Sequence, residues 1–489
     1  MRAKDRRGGE GEIGRALSNR GAGTFSLSLE DRICYSFDAT DIRSLPAAVA
    51  WPTRTAEVAA AVLAAADCGV PVVPRGAGTG YTGGSVPLAG GVVISLERMN
   101  RVLLLDPRRR LAVVEPGVVN ETLRARAGAL GLTYPPDPAS LLVSTIGGNV
   151  AEGAGGPRTV LYGATGAYIV GLEFVLHDGT VASTGLLRTR TQSVWDAGPA
   201  LVGSEGTLAV VTRVALRLTE LPEARATFWI EFAALERAAK AVAAITASGL
   251  PVSVLEIMDR ETLRCSLEYV RGGPVPDSPE SALLVEVEGA SASVAGAGER
   301  LRALSTERGA TVFREATEAA DRDALWEARR AISPSLARFG VGKLNEDIAV
   351  PRSAIPSFVR ALESIGREAD LPILSFGHAG DGNLHVNVMV DRSDRDAMRS
   401  ARRAIGRIFE AARALDGTLS GEHGIGITKA EHLTIELDET AVAANRAVKR
   451  ALDPRGSFNP EKILTARANP WWAGLAAPGG DAGEAPDAH

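Results

Sequence analysis

Two short segments in the C-terminal half carry the side chains best suited to chemistry. Residues 372–390, PILSFGHAGDGNLHVNVMV, hold His378 and His385 on either side of a Gly380-Asp381-Gly382-Asn383 turn, and residues 417–429, GTLSGEHGIGITK, set Glu422 beside His423. The flanking apolar residues predict a hairpin, one strand ending at His378 and the other carrying His385, Asn387 and Met389. On such a hairpin the two imidazoles become cross-strand neighbours, and Asn387 shares the face of His385 because side chains repeat every two residues. Two imidazoles at that separation can share a divalent metal if an anionic third ligand joins them, and Glu422 is the candidate. Such a set with vacant positions suits zinc, manganese or iron, with zinc the expected ion. A hairpin histidine pair is ordinarily hydrogen-bonded structure. Here, however, the chain has six histidines, and His378, His385 and His423 all fall in these two glycine-flanked segments.

A different chemistry is written in the N-terminal half. Pro71–Gly91, PVVPRGAGTGYTGGSVPLAGG, contains Gly76, Gly78, Gly80, Gly83 and Gly84 among Pro74, Arg75, Ala77 and Thr79. Such a loop bares backbone N–H groups, adopts positive φ and lets a pyrophosphate approach closely, as a dinucleotide cradle requires. Gly78 to Gly83 satisfies G-x-G-x-x-G, but a Rossmann site needs that motif to open a helix. Here the helix comes first, at 55–68 from the N-cap Thr55 to the stop at Gly69, and a strand, Val92–Leu96, follows the loop. NAD is therefore disfavoured. A second cluster, Pro135–Gly156, begins with the rigid, non-helical Pro136-Asp137-Pro138 and offers Thr145, Gly147, Gly148 and Asn149 to a ligand. A third, Gly203-Ser204-Glu205-Gly206, turns into the strand Val210–Leu218. Three such turns separated by strands could wrap one long ligand.

The elements around these groups fall into two modules. The chain of 489 residues predicts about two to four domains with ample core. An apolar content of 45% and a charged content of 23% describe an ordinary soluble protein, and a net charge of −5 leaves no footprint for nucleic acid. Cys34, Cys68 and Cys265 form neither a disulfide framework nor a cluster spacing, so a reducing cytoplasm is expected and any iron–sulfur centre belongs to another chain. No apolar run reaches the roughly 18 residues of a membrane span, and no secretory signal is present. Residues 1–25, rich in Gly, Arg and Glu, are expected to be mobile, as is the 466–489 tail, interrupted by Trp471-Trp472. In the second half, strands at Phe228–Phe232, Val252–Ile257 and Leu283–Val287 alternate with a helix at 234–247 striped by Leu235, Ala238, Ala239, Val242 and Ile245. Further stripes at Ile355, Phe358, Val359, Leu362 and Ile365, and at Ile405, Ile408 and Phe409, mark two more helices. Strand–helix–strand units of this kind suggest a ferredoxin-like antiparallel sheet.

The three glycine pieces resemble the FAD-binding domain of the vanillyl-alcohol oxidase superfamily. The pattern is most similar to its D-2-hydroxyacid dehydrogenase branch, which includes the glycolate oxidase FAD subunit, D-lactate dehydrogenase and D-2-hydroxyglutarate dehydrogenase. The likeness runs from about Asp31 to Leu464. It implies an α+β chain with a two-part FAD-binding domain at 26–220. A ferredoxin-like substrate domain would follow at 221–465, its end returning to the flavin. Some relatives carry a first-loop histidine bonded to the flavin. Ala77, Thr79, Tyr81 and Thr82 include none, so the FAD is expected to be non-covalent. The resemblance places cofactor contacts on Pro74, Arg75, Gly76, Ala77, Gly78, Thr79, Gly80, Gly83 and Gly84 in the first loop, and on Pro138, Thr145, Gly148 and Asn149 in the second. Glu205, Gly206 and Val210 supply the third, and Asn459 of SFNPEKIL comes back from the C-terminus.

The same resemblance assigns a carboxylate-binding arginine to Arg329, whose planar guanidinium suits a bidentate partner, and a substrate-contacting hydroxyl to Ser333, with Lys343 a weaker candidate. Asn387 joins the expected catalytic set. The expected reaction has Arg329 hold the carboxylate, the metal on His378, His385 and Glu422 grip the 2-hydroxyl, and His423 take its proton while hydride leaves C2 for flavin N5. Electrons would pass to a separate acceptor, a protein or a quinone, with an iron–sulfur subunit among the options. A homodimer and peripheral attachment to the inner membrane through a partner are compatible. Two rivals use the same fold. Alkylglycerone-phosphate synthase carries consecutive histidines where this chain has Glu422-His423, and a silent FAD electron-transfer subunit would lose the second-half polar set.

Overall fold

Helix α1, Gly9–Arg20, occupies a stretch expected to be mobile, in a computed structural model that describes residues 9–187, 196–275, 279–336, 342–466 and 469–472. Ile13 and Leu17, one turn apart on one face, are fully buried, and the helix lies against α2, Thr55–Asp67, with Arg20 paired to Asp67 at 2.8 Å. Two buried apolar residues in a polar stretch give composition little to register. At the other end, Asn469 and Trp472 are buried, and the Trp471 indole donates to the Thr40 carbonyl at 3.2 Å. The expected mobility of 1–25 therefore fails for 9–25, and that of the tail fails for 469–472. Apart from Ala466, the rest of both segments lies outside the described residues. Thr55 is not the N-cap of α2; Arg54 is, and the Thr55 hydroxyl donates to Glu173 at 2.7 Å.

The N-terminal half is built on two main sheets. In the first, β1 (Thr24–Ser26), β2 (Ala48–Trp51), β3 (Val72–Arg75) and β4 (Val92–Ser95) stand in the order β1-β2-β4-β3. The last three run parallel. Helix α2 crosses from β2 to β3, so the first glycine loop hangs between β3 and β4 with no helix after it. The second sheet is antiparallel. It contains β5 (Val102–Asp106), β6 (Leu111–Val114), β7 (Ile169–Val175), β8 (Val181–Ser183) and β9 (Val210–Arg217) in the order β5-β6-β9-β7-β8. The second glycine cluster opens a short helix, α3 (Ile146–Glu152), and the third leads into β9.

The C-terminal half is one seven-stranded antiparallel sheet. Strands β10 (Ala224–Phe232), β11 (Val252–Asp259), β12 (Ser281–Gly289) and β13 (Ala310–Ala316) take the order β13-β10-β12-β11, the 4-1-3-2 arrangement of a ferredoxin-like fold. Three strands extend it beyond β11: β14 (Gly342–Ala349), β15 (Ile373–Gly377) and β16 (Asn383–Val390), in the order β15-β16-β14. The three predicted stripes lie on α4 (Leu235–Thr246), α5 (Ile355–Ala369) and α6 (Arg395–Ala414), and all but the half-buried Leu235 are buried in one core with the inward faces of the strands. The two halves meet through largely buried charges beside the cavity. Arg158, just past the second glycine cluster, pairs with Asp137 (3.1 Å) and with Glu286 (2.5 Å) and Glu288 (3.0 Å) of β12, where Arg225 adds a 2.6 Å bond to Glu288. No helix among the described residues is long and apolar enough to cross a membrane.

One buried acid in this core has a measurable consequence. Glu346 on β14 is 1% exposed with neither carboxylate oxygen hydrogen-bonded, and burial pushes it up to about 8. Between its ordinary value of 4.5 and that figure the folded chain holds a proton the unfolded chain has lost, so stability falls as pH rises through the window. Glu346→Gln removes the effect. The melting temperature of the variant is expected to gain on wild type progressively from about pH 5 to pH 8, by about 2 °C or more at the upper end. A pH-independent difference would show that Glu346 is not buried as described.

Candidate active site

Strand β15 ends at Gly377, so His378 belongs to the turn, and register sets Phe376, not His378, opposite His385. The turn swings the His378 ring back to 5.0 Å from that of His385, at 88°. Glu422 arrives from a loop held by Asp347 of β14, whose carboxylate accepts from the N–H of Glu422 (2.6 Å), the N–H of His423 (3.1 Å) and the Ser420 hydroxyl (3.3 Å), and is paired with the Lys429 ammonium. His378 Nε2 lies 3.2 Å from Glu422 Oε1 and 3.4 Å from His385 Nε2, and His385 Nε2 lies 3.6 Å from the same oxygen. Each residue thus offers a donor atom within 4.8 Å of the others.

His385 and Glu422 suit a cation at that point, whereas His378 would first have to give up an Nε2 proton. Glu256 of β11 takes His378 Nδ1 at 2.5 Å; an ionised carboxylate can only accept, so Nδ1 carries the proton and Nε2 faces the cluster. Burial opposes charge on His378, but Glu256 and Glu422 raise its pKa well above its ordinary value. His385 is the reverse: burial, with His378 and His423 beside it, lowers it to about 3 and leaves its ring neutral. Burial opposes ionisation of Glu422, yet His378 holds it at about 2.

Arg329 closes one side. It lies at the end of helix α7, Ala319–Arg330, its guanidinium 4.9 Å from the Phe376 ring, and its Nε donates to Glu256 Oε2 at 2.5 Å. Although burial works against ionisation of Glu256, Arg329 and His378 keep it at about 2. Glu256 therefore bridges the guanidinium and the histidine cluster, while both Nη groups of Arg329 have no protein partner among the described residues. Opposite, the His423 ring is sandwiched between Tyr81 (5.1 Å, 30°) and His385 (5.0 Å, 12°). Burial lowers its pKa despite Asp347, so it can accept a proton. Lys343 Nζ lies 3.5 Å from the Ser333 hydroxyl and 5.6 Å from the Tyr81 ring. Asn387 is misplaced in the expected set. It is fully buried behind Asn345, whose amide donates to it at 2.8 Å, and Asn345 is the one that lines the cavity.

One cavity of about 1260 Å³ runs from the three glycine turns to this wall, and Arg329, Ser333, Lys343, His378, His385, Glu422 and His423 all line it. The residues expected to hold a cofactor line it too, except Gly83, Val210 and Asn459. Gly83 backs onto Ile427, where a Cβ would come within 2.3 Å, and Val210 alternates away from the cavity-lining Ala209 and Val211 into the core. Asn459 is a clamp: its amide donates to the carbonyls of Gly84 and Glu205, both at 2.8 Å. Other polar side chains are also used internally. Arg75 donates to the Phe37 carbonyl (2.7 Å), the Thr145 hydroxyl caps α3, and the Glu205 carboxylate accepts from Ile425 and Gly426. What the loops present is backbone. A Cβ on Gly76 would stand 2.4 Å from the Thr145 hydroxyl, so the first two turns meet only because glycine is there, and a cradle of bare N–H groups fits a dinucleotide such as FAD.

A family model described as FAD binding domain matches residues 46–185, and one described as FAD linked oxidases, C-terminal domain, matches residues 221–463. Glycolate oxidase subunit GlcD of Bacillus subtilis (strain 168) is 38% identical over 91% of this chain and 94% of its own length. D-lactate dehydrogenase of Anaerostipes hadrus is 32% identical over 86% and 90%. Among solved structures, p-cresol methylhydroxylase superposes with a TM-score of 0.77 at 15% identity, covering 94% of this chain and 98% of that one, which speaks to the fold alone. With relatives this similar along nearly the whole length, the chain belongs to the FAD-linked oxidase family: it is an α+β oxidoreductase with an FAD-binding domain.

Proposed function

We propose that this enzyme oxidises a D-2-hydroxy acid, of the glycolate, D-lactate or D-2-hydroxyglutarate kind, to the 2-oxo acid. The observation that carries the reading is the sharing of one cavity by the glycine turns, the free edge of Arg329, the His378–His385–Glu422 cluster and a neutral His423. The names of the relatives agree with it: besides those above, D-2-hydroxyglutarate dehydrogenase of Xanthomonas citri pv. viticola is 32% identical over 86% of this chain and 89% of its own length. FAD, when bound, would supply the acceptor for the C2 hydrogen and its electron pair, and a divalent metal, zinc by preference, would supply acidification of the 2-hydroxyl. The Nη groups of Arg329 take the substrate carboxylate. His378, His385 and Glu422 hold the metal, and Glu256 fixes the tautomer of His378. His423, held flat by Tyr81, removes the hydroxyl proton. Electrons leave for a separate protein or quinone, and the description of a relative as a subunit favours a partner chain.

The test is anaerobic mixing of the purified yellow protein with a panel of D- and L-2-hydroxy acids. Bleaching of the flavin by glycolate or a D-acid is expected, and bleaching by none of them removes this reading in favour of flavin chemistry without net redox change. In the same assay His423→Ala is expected to retain FAD but to be reduced about 10²–10⁴-fold more slowly, the usual contribution of a positioned base. An unchanged rate would take the proton-accepting role from His423.

A further inference from the structure

We infer that Glu205 is a positioning residue that couples cofactor binding in the N-terminal half to assembly of the metal site in the C-terminal half; the inference rests on the metal reading above. Glu205 is 5% exposed and takes a φ of +51°, a region that side-chain-bearing residues avoid unless their surroundings impose it. Its surroundings do so from both directions. Its N–H donates to the Ala151 carbonyl (2.8 Å), and its own carbonyl receives the Asn459 amide (2.8 Å). Its carboxylate reaches out of the third glycine turn, one oxygen for each of two backbone donors: Ile425 N–H (2.7 Å) and Gly426 N–H (2.8 Å).

Those two donors lie just beyond Glu422 and His423, with Gly424 between. The turn carrying the proposed ligand and base is thus strung between two buried carboxylates, Asp347 holding its start and Glu205 its end. Asp347 comes from the same sheet as the histidines, whereas Glu205 comes from the other half of the chain. The turn also passes tightly over this second anchor. Gly424 has a φ of +82°, and a Cβ there would stand 2.7 Å from Glu205 Oε1 and 2.8 Å from Glu152 Oε2.

Ser204, Glu205 and Gly206 themselves line the cofactor end of the cavity. A dinucleotide seated there restricts the turn that aims the Glu205 carboxylate, and with it the segment that aims Glu422. Coupling of this kind is reciprocal: the factor by which the cofactor tightens the metal equals the factor by which the metal tightens the cofactor.

The experiment measures zinc affinity, by competition with a chromophoric chelator, for FAD-loaded and FAD-stripped protein in wild type, Glu205→Gln and His385→Ala. FAD is expected to tighten zinc binding by about 5–150-fold in wild type. Glu205→Gln, which touches no proposed ligand, is expected to bind zinc more weakly when FAD-loaded and to lose the dependence on FAD. Glu205→Asp, too short to reach both donors, is read in the same way should the glutamine variant not fold. If wild type binds zinc with no dependence on FAD, or Glu205→Gln keeps the full dependence, the inference is overturned while the metal site stands. Wild type that binds no zinc, or binds it no better than His385→Ala, overturns the metal reading and this inference with it.

Discussion

Replacing His385 by alanine is expected to lower the rate of flavin reduction by substrate about 10³-fold while FAD stays bound. A metal ion supplies several kcal/mol of charge stabilisation at a developing alkoxide, and each 1.36 kcal/mol is a factor of ten. The Nδ1 of His385 is buried without a hydrogen-bond partner, so the substitution breaks no bond on the far side of the ring; it does remove a ring stacked on His423, a cost that chelation of the wild type does not carry. If the histidine pair were only structural, the variant would melt earlier yet still be reduced by substrate at the wild-type rate. Chelation of wild type in excess FAD, which keeps the cofactor site filled, should reproduce the loss, and should do nothing further to the variant. A fully active chelated enzyme would sink the metal reading.

Arg329→Leu carries the second large effect. A bidentate guanidinium–carboxylate contact comprises two charge-assisted bonds, each worth about 1.5–3 kcal/mol, so kcat/KM should fall about 10²–10⁴-fold, with most of the loss in KM. Lysine should not rescue it: one ammonium cannot hold Glu256, as the Arg329 Nε does at 2.5 Å, and also present a fork to the substrate. The substitution also leaves Glu256 buried with only His378 as a charged partner. The double variant Arg329→Leu, Glu256→Gln separates the two costs. Steady-state kinetics with an unchanged kcat/KM would remove Arg329 from substrate binding.

The parts of this protein that sequence made legible are those whose signal is local. Helical stripes such as Ile355–Ile365 were readable because burial repeats every three to four residues along one element, and glycine turns because backbone geometry demands that residue type. The histidines were readable by type, but their geometry was not: the register that opposes Phe376 to His385 follows from the hairpin's pairing, not from counting to the turn. Of the partners that make the site work, Glu256 and Asp347 were missed, and Glu205 was read only as a cofactor contact. Glu256, Asp347 and Glu205 act on residues 73 to 221 positions away. A signal did exist for Glu256, a carboxylate in mid-run within the apolar VSVLEIMD, which ends on Asp259, and a similar one for Asp347, beside Glu346 within β14. Burying an ion inside a sheet is costly enough that such a residue asks for a partner. Asn387 misled for the opposite reason: alternation gives a face, and cannot say which of two asparagines on that face stands in front.

The knot of Arg158, Asp137, Glu286, Glu288 and Arg225 bears on how the molecule comes apart. Arg158 and Asp137 are contributed by one half and the other three by the other, and with Arg158 gone Glu286 and Glu288 would share Arg225 alone. Partly buried pairs are screened less than exposed ones, so raising ionic strength should loosen this seam only slightly, mainly through the one-third-exposed Arg225. A protease cut in the linker near residue 221 would leave two fragments that stay associated, and a thermal scan would record one transition for both instead of one for each.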